Sequence, residues 1–526
     1  VTTETLTIYG TVKSTTATNE SYDGCAVTTL GTDTETPATI IIKEDAKISA
    51  VNTNAVYLPA GTLTVEGGEI TGTTGIYFKS TNMTISGGTI TGNGTKQDYK
   101  YYGNGGISTG EAVTIDSCNY PGGIGFVSIR GGEFSSTHAN AIGSYNSNSG
   151  SLQTNFVTGG TFSSNPSEYV AEGYIALVNN DDRTFTVSKT NEIPVTAETV
   201  QDYLDGKYGS INGKTLVLGE GNYSALEFGR ATKYPGSNTK YHTFKGGYDA
   251  RTETTEYTTA EELKTTLADT NIYHGNLMYI RSLNNITLKA ADGAMVNVAG
   301  IFASSGHKYE NAYDYVLDRD VANGTNTYFL VFDFANITFD GLTFTAKSDI
   351  STSIPESTIN GFTFKNCTFN INNTADGNQA IRYYNENDNG KVSNLVVDNC
   401  KFNNCYQGVY TSHIKNIFVT TSEFDQTGHN AIAIQDFKGA CNHGEVIITG
   451  NTFTNIGDRI IRFNKVGAGT QITIIHNTAT NSGDANDEVI KATSLDGVNF
   501  NIHDNSWGEG KIVFNDELKD SPTGPM

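Results

Sequence analysis

Apolar and polar residues alternate with period two in eight-residue blocks along the C-terminal half of the chain, beginning at Ile337–Phe344, ITFDGLTF. The block returns as FTFKNCTF from Phe362, LVVDNCKF from Leu395, IFVTTSEF from Ile417, VIITGNTF from Val446, ITIIHNTA from Ile472 and FNIHDNSW from Phe500. Positions one and three are apolar or nearly so, and position eight is aromatic or small, which predicts strands with one buried face. Position five holds Gly341, Asn366, Asn399, Thr421, Gly450, His476 and Asp504, mostly types that tolerate a left-handed backbone, so a tight bend is expected between two short strands. Position six holds Leu342, Cys367, Cys400, Ser422, Asn451, Asn477 and Asn505. Small and amide side chains in register predict an inward stack with hydrogen bonds between coils. The blocks start 25, 33, 22, 29, 26 and 28 residues apart, the spacing of a solenoid with variable loops.

The N-terminal half carries the same block with glycine in the bend: LTVEGGEI from Leu63, MTISGGTI from Met83, VSIRGGEF from Val127 and NFVTGGTF from Asn155. An earlier coil is expected at Thr39–Ile48 followed by a strand at Ala55–Leu58, and an inserted excursion at Gln97–Tyr102 with a turn at Cys118–Gly123. The pattern stops at Ser163–Val187, where a short helical piece and a hairpin around Asn179–Arg183 are expected to close the solenoid. Lys189–Pro194 is then the domain boundary, giving domains 1–190 and 195–526. The second domain is expected to open with a capping helix at Glu198–Leu204 and a strand at Thr215–Leu218. Thr259 and Glu262 form a capping-box signature for a helix through Leu267, inside an excursion Tyr234–Thr270. Strands at Asn276–Ser282 and Ile286–Lys289 and a loop at Ser304–Thr325 precede the regular coils.

A third strand aligns as QAIRYY from Gln379, QGVYTS from Gln407, NAIAIQ from Asn430, RIIRFN from Arg459 and EVIKAT from Glu488. Three strands per coil predict a triangular cross-section. With Ile381, Val409, Ile432, Ile461 and Ile490 inward, Arg382, Tyr410, Ala433, Arg462 and Lys491 face outward. Two residues on, Tyr384, Ser412, Gln435, Asn464 and Thr493 face outward as well.

This arrangement resembles the right-handed parallel β-helix of the pectate-lyase-like superfamily, in which a buried asparagine ladder lines a tight bend. The likeness covers most of Thr215–Trp507 and, with glycine in place of the ladder, about Thr39–Phe162. The closing segment after GGTF resembles that of secreted surface proteins of gut bacteria. The resemblance implies an all-β fold of two tandem right-handed parallel β-helices with short capping helices. It also implies a groove along the strand that carries the outward stripe. It leaves activity open, because the superfamily spans lyases, hydrolases, esterases, adhesins and phage fibres.

Charge narrows the partners. The formal charge of −22 argues against nucleic acid or an anionic membrane as partner, and the absence of a long apolar run argues against membrane insertion. The chain starts at Val1 without a charged leader, so export is inferred from fold type; an extracellular or cell-surface monomer is expected. Cys367 and Cys400 share position six on consecutive coils and are expected to be buried free thiols; Cys25, Cys118, Cys405 and Cys441 show no readable pairing. His413, His429, His443, His476 and His503 have no spacing that places two on one face, so no metal site is expected.

The stripe is the candidate site. Tyr384 and Tyr410 offer faces for sugar rings, Gln435 and Asn464 amides for hydroxyls, and Arg382, Arg462 and Lys491 cations for carboxylates or sulfates. A polysaccharide or host glycan bound without catalysis is the expected function. The alternatives are a polysaccharide lyase with Arg462 or Lys491 as base or clamp and Ca²⁺ as the possible cofactor, and a passive stalk. Against the site stands a bland pairing of these cations with loop acids such as Asp388, Asp436, Asp458 and Asp487.

Overall fold

The computed structural model describes residues 4–15, 24–29, 38–79, 81–96, 108–118, 123–147, 150–179, 181–246, 250–268, 277–308, 312–317, 319–321, 328–483, 487–515, 517–519 and 523–525. The chain is an all-β parallel solenoid with few helices and divides into two compact units, Val1–Thr190 and Asn191–Met526. The expected excursion at Gln97–Tyr102 lies outside the described residues.

In the first unit each coil contributes one strand to each of three parallel sheets. Thr39–Ile42, Thr62–Val65, Thr81–Ile85 and Ile124–Ile129 stack in the first sheet; Lys47–Ala50, Glu69–Gly72, Thr89–Gly92 and Glu133–Ser136 stack in the second. Val56–Leu58, Ile76–Phe78, Val113–Cys118 and Ile142–Ser147 form the third. The alternation in each block sends Leu63, Met83 and Val127 into one core. A 3-10 turn at Ser167–Tyr169 and an antiparallel pair, Ile175–Val178 with Phe185–Ser188, close this core, because Phe185–Ser188 also pairs with Thr161–Phe162 and covers the last edge of the second sheet. Covering that edge blocks strand addition.

The second unit repeats the plan over more coils. Helix Val200–Leu204 sits at its start, and at the head of helix Ala260–Ala268 Glu262 Oε2 accepts from the Thr259 N–H and Thr259 Oγ1 from the Glu262 N–H, each at 3.2 Å. Two expectations change here. The segments forecast as separate strands at Asn276–Ser282 and Ile286–Lys289 are one strand, Leu277–Ala290. It runs through without a register shift against strand Tyr328–Asp340, because Asn285 and its opposite residue Asn336 both take a left-handed φ, 56° and 53°. The forecast loop Ser304–Thr325 begins as a continuation of strand Ile301–Lys308 and includes the antiparallel pair Ala312–Asp314 and Arg319–Val321.

All seven residues at position five of the second-unit blocks have positive φ, from 49° at Thr421 to 71° at Gly341. This turn aims position six into the core. Ser422 Oγ accepts from the Cys400 backbone N–H at 3.1 Å, Asn451 Oδ1 from Ser422 N–H at 2.9 Å, Asn477 Oδ1 from Asn451 N–H at 3.0 Å and Asn505 Oδ1 from Asn477 N–H at 2.9 Å. The Asn451 and Asn477 amides also donate to the next Oδ1 and to carbonyls of strands above, so their buried polar atoms are paired. At position eight Phe344, Phe369, Phe402, Phe424 and Phe453 stack with ring centroids 4.9, 4.7, 4.4 and 5.1 Å apart. No disulfide joins Cys25, Cys367, Cys400, Cys405 and Cys441. The side chain of Cys118 lies outside the described residues. Burial pushes the Cys367 thiol well up, and that of Cys405 up to about 12.

Candidate functional site

The third sheet of the second unit carries the stripe. Its strands are Leu226–Glu227, Ile301–Lys308, Ser348–Thr352, Gln379–Asn385, Gln407–Ser412, Ile432–Gln435, Ile461–Asn464, Glu488–Thr493 and Lys511–Phe514. Their register places Arg382 beside Tyr410, Tyr410 beside Ala433, Ala433 beside Arg462 and Arg462 beside Lys491. Tyr384 lies beside Ser412, and Gln435 beside Asn464 and then Thr493. Ile381, Val409, Ile432, Ile461 and Ile490 are buried behind them. At roughly 4.8 Å per strand the line from Arg382 to Lys491 is about 19 Å long.

The stripe is not uniform. At one end Arg382 is neutralised by Asp349, its neighbour in the register, at 2.8 Å, and its guanidinium lies 4.3 Å from the centroid of Tyr384. The rings of Tyr384 and Tyr410 are nearly parallel with centroids 6.4 Å apart, and Phe437 lies 6.5 Å beyond Tyr410. Tyr410 therefore sits between two rings and is only 9% exposed. This corrects the expectation of a freely outward tyrosine: outward from a sheet is not outward to solvent once a neighbouring loop residue, here Phe437, lies against it. Burial raises the Tyr410 hydroxyl to about 12. Burial also raises that of Tyr384, helped by Glu386.

At the other end a chain of charged groups crosses successive coils. Tyr406 packs on His429 with centroids 5.0 Å apart, and His429 Nε2 lies 3.1 Å from Asp458 Oδ2. Arg459 bridges Asp458 at 2.8 Å and Glu488 at 2.7 Å, and Glu488 is 3.5 Å from Lys491. Arg462 stands apart. It is half-buried and, among the described residues, makes neither an ion pair nor a hydrogen bond. Its charge reaches Tyr406, whose hydroxyl is raised by burial and by Asp376 and Asp458 while Arg462 opposes the shift.

The loop acids divide as well. Asp458 holds Arg459 and Asp487 reaches Lys511 at 3.4 Å, whereas Asp436 is fully buried and accepts from the backbone N–H groups of His413 and Cys441. Asp436, Cys441 and His443 bring an oxygen, a sulfur and a nitrogen within 4.8 Å of one another, a group able to hold a metal ion.

Sequence reasoning named Asp458 only as a loop acid able to pair with the stripe and His429 only as a metal candidate, and it missed Asp349, Tyr406, Arg459 and Glu488 as parts of this surface. A usable signal exists for two of them: Arg459 and Glu488 occupy the first position of the aligned third strands on consecutive coils, with opposite charge. Tyr406, His429 and Asp458 lie immediately before those strands, where loop lengths vary and alignment by spacing is blind.

No family model matches this chain, and no curated protein matches it. Among solved structures, sacteLam55A from Streptomyces sp. SirexAA-E is similar at 9% identity over 99% of this chain and 97% of that chain, with a TM-score of 0.18. A likeness at that level carries no argument about fold or activity.

Proposed function

We propose that this chain is an extracellular parallel β-helix protein of pectate-lyase-like type that binds an acidic polysaccharide or host glycan along the third sheet, without catalysis. Arg462 carries this reading. A half-buried guanidinium without a carboxylate partner among the described residues, on a chain of net charge −22, is an open position for an anionic group. Asn464 and Gln435 lie two residues from the stripe line and supply amides for hydroxyls. Tyr406 supplies a ring beside the cation.

Titration of the full chain against acidic polysaccharides should give binding that weakens with salt, since exposed charges are screened over roughly 8–10 Å. Arg462→Ala should weaken it severalfold while unfolding stability shifts by no more than about 0.5 kcal/mol. Unchanged affinity in Arg462→Ala, with wild-type fold, would remove the stripe as the binding surface. One observation favours a second reading, a polysaccharide lyase: His429, Asp458 and Tyr406 are proton-transfer groups beside the free cation. Release of unsaturated oligosaccharides by the wild-type chain would decide for it.

A further inference from the structure

The segment Asp436–His443 turns the corner between the third-sheet strand Ile432–Gln435 and the first-sheet strand Glu445–Thr449. Three of its side chains converge there, and Asp436, Cys441 and His443 are 0, 1 and 0% exposed. His443 Nδ1 lies 2.6 Å from the carbonyl oxygen of Ile414. A ring nitrogen at that distance from a carbonyl carries a proton, so Nε2 is the nitrogen whose lone pair can serve as a ligand. Nε2 lies 3.0 Å from Asp436 Oδ2, yet the contact is not aligned as a hydrogen bond, and Nε2 has no hydrogen-bond partner. A lone pair held against a carboxylate in a buried corner is repulsive unless a cation lies between them.

The surroundings fit a metal better than a lone proton. The carboxylate is oriented by the His413 N–H on Oδ1 at 2.7 Å and the Cys441 N–H on Oδ2 at 3.1 Å. The imidazole is oriented by Ile414 in the way metal-bound histidines are held by a carbonyl on the other nitrogen. The third donor is a thiol. With metal–ligand distances of about 2.0–2.3 Å, tetrahedral donors sit roughly 3.2–3.8 Å apart, and these three atoms already lie within 4.8 Å of one another.

We propose that Asp436, Cys441 and His443 bind a divalent transition-metal ion of zinc type. Nitrogen, sulfur and oxygen donors together suit Zn²⁺ and disfavour Ca²⁺ or Mg²⁺, which take oxygen. Binding releases the thiol proton to solvent. The sequence reading missed it because it sought two histidines on one face. The signal present is Cys441-x-His443 preceded by Asp436.

The test uses the full chain stripped with chelator and titrated with Co²⁺ and then Zn²⁺. Wild type should take up one equivalent of Co²⁺ with a thiolate-to-cobalt absorption band that Zn²⁺ abolishes, and its thermal midpoint should rise with Zn²⁺. Cys441→Ser should lose the band. No stoichiometric metal in the wild type, a bound cobalt without the thiolate band, or a band that survives Cys441→Ser would each overturn the proposal. The wild-type titration needs no variant, so a folding failure of Cys441→Ser leaves a decision.

Discussion

The two units turn the same corner by different means. In the second, position five takes the left-handed conformation and position six sends a side chain into the core. In the first, the left-handed residue is position six: φ is 83° at Gly68, 94° at Gly88, 108° at Gly132 and 104° at Gly160. Position five there has ordinary φ but no room. A Cβ at Gly87 would lie 2.5 Å from the Glu66 carbonyl oxygen, one at Gly131 2.5 Å from that of Ser86, and one at Gly159 2.2 Å from that of Arg130. Coils of the first unit thus meet backbone to backbone at this corner, leaving an open trough of about 590 Å³ along the bends. Coils of the second keep a side chain between them. A shared block length does not imply a shared turn; a ladder needs a residue with a polar tip, and a glycine pair removes the tip and lets the backbones close.

Three substitutions test this difference, in order of effect. Gly87→Ala should cost about 3 kcal/mol or more, because backbone rather than a movable side chain occupies the space. It should show as a lowered denaturant midpoint of the full chain's first-unit transition; a loss under about 1 kcal/mol would mean that the coils part easily and the contrast fails. Asn477→Leu should cost about 2–3 kcal/mol, since it leaves the Asn451 N–H and the Ile448 carbonyl without the partners they have at 3.0 and 2.9 Å. Equilibrium unfolding near wild type would show that the amides fill space and nothing more. Thr421→Gly should gain about 0.5–1 kcal/mol, because a β-branched residue at φ 49° is strained and glycine is not. The exposed Thr421 Oγ1 bond to Asp398 at 2.8 Å is lost in the same change and offsets little. A destabilised Thr421→Gly would show that the hydroxyl, not the backbone, sets that bend.

The alternation of each block, with Gly, Asn, Asp or His at position five in six of the seven, determined where the second unit's strands lie and where they bend, because period two and left-handed tolerance are local properties of residue type. The third-strand alignment was legible for the same reason: Ile381, Val409, Ile432, Ile461 and Ile490 mark the inward face, and the observed register follows them. Which glycine of a pair takes positive φ was not legible, since both tolerate it and the contact with the preceding coil decides. Nor was the state of the stripe. Tyr410 is covered by Phe437 from a loop, Arg382 is neutralised by Asp349 one coil before the aligned set, and Arg462 is left open while its neighbours pair. Asp436, Cys441 and His443 were visible as residues, but their convergence in one corner depends on how Asp436–His443 closes between two sheets. Local chemistry sets strands and bends; which groups meet across coils is set by loop length and by the stacking of turns far apart in sequence, and only the folded solenoid brings them together.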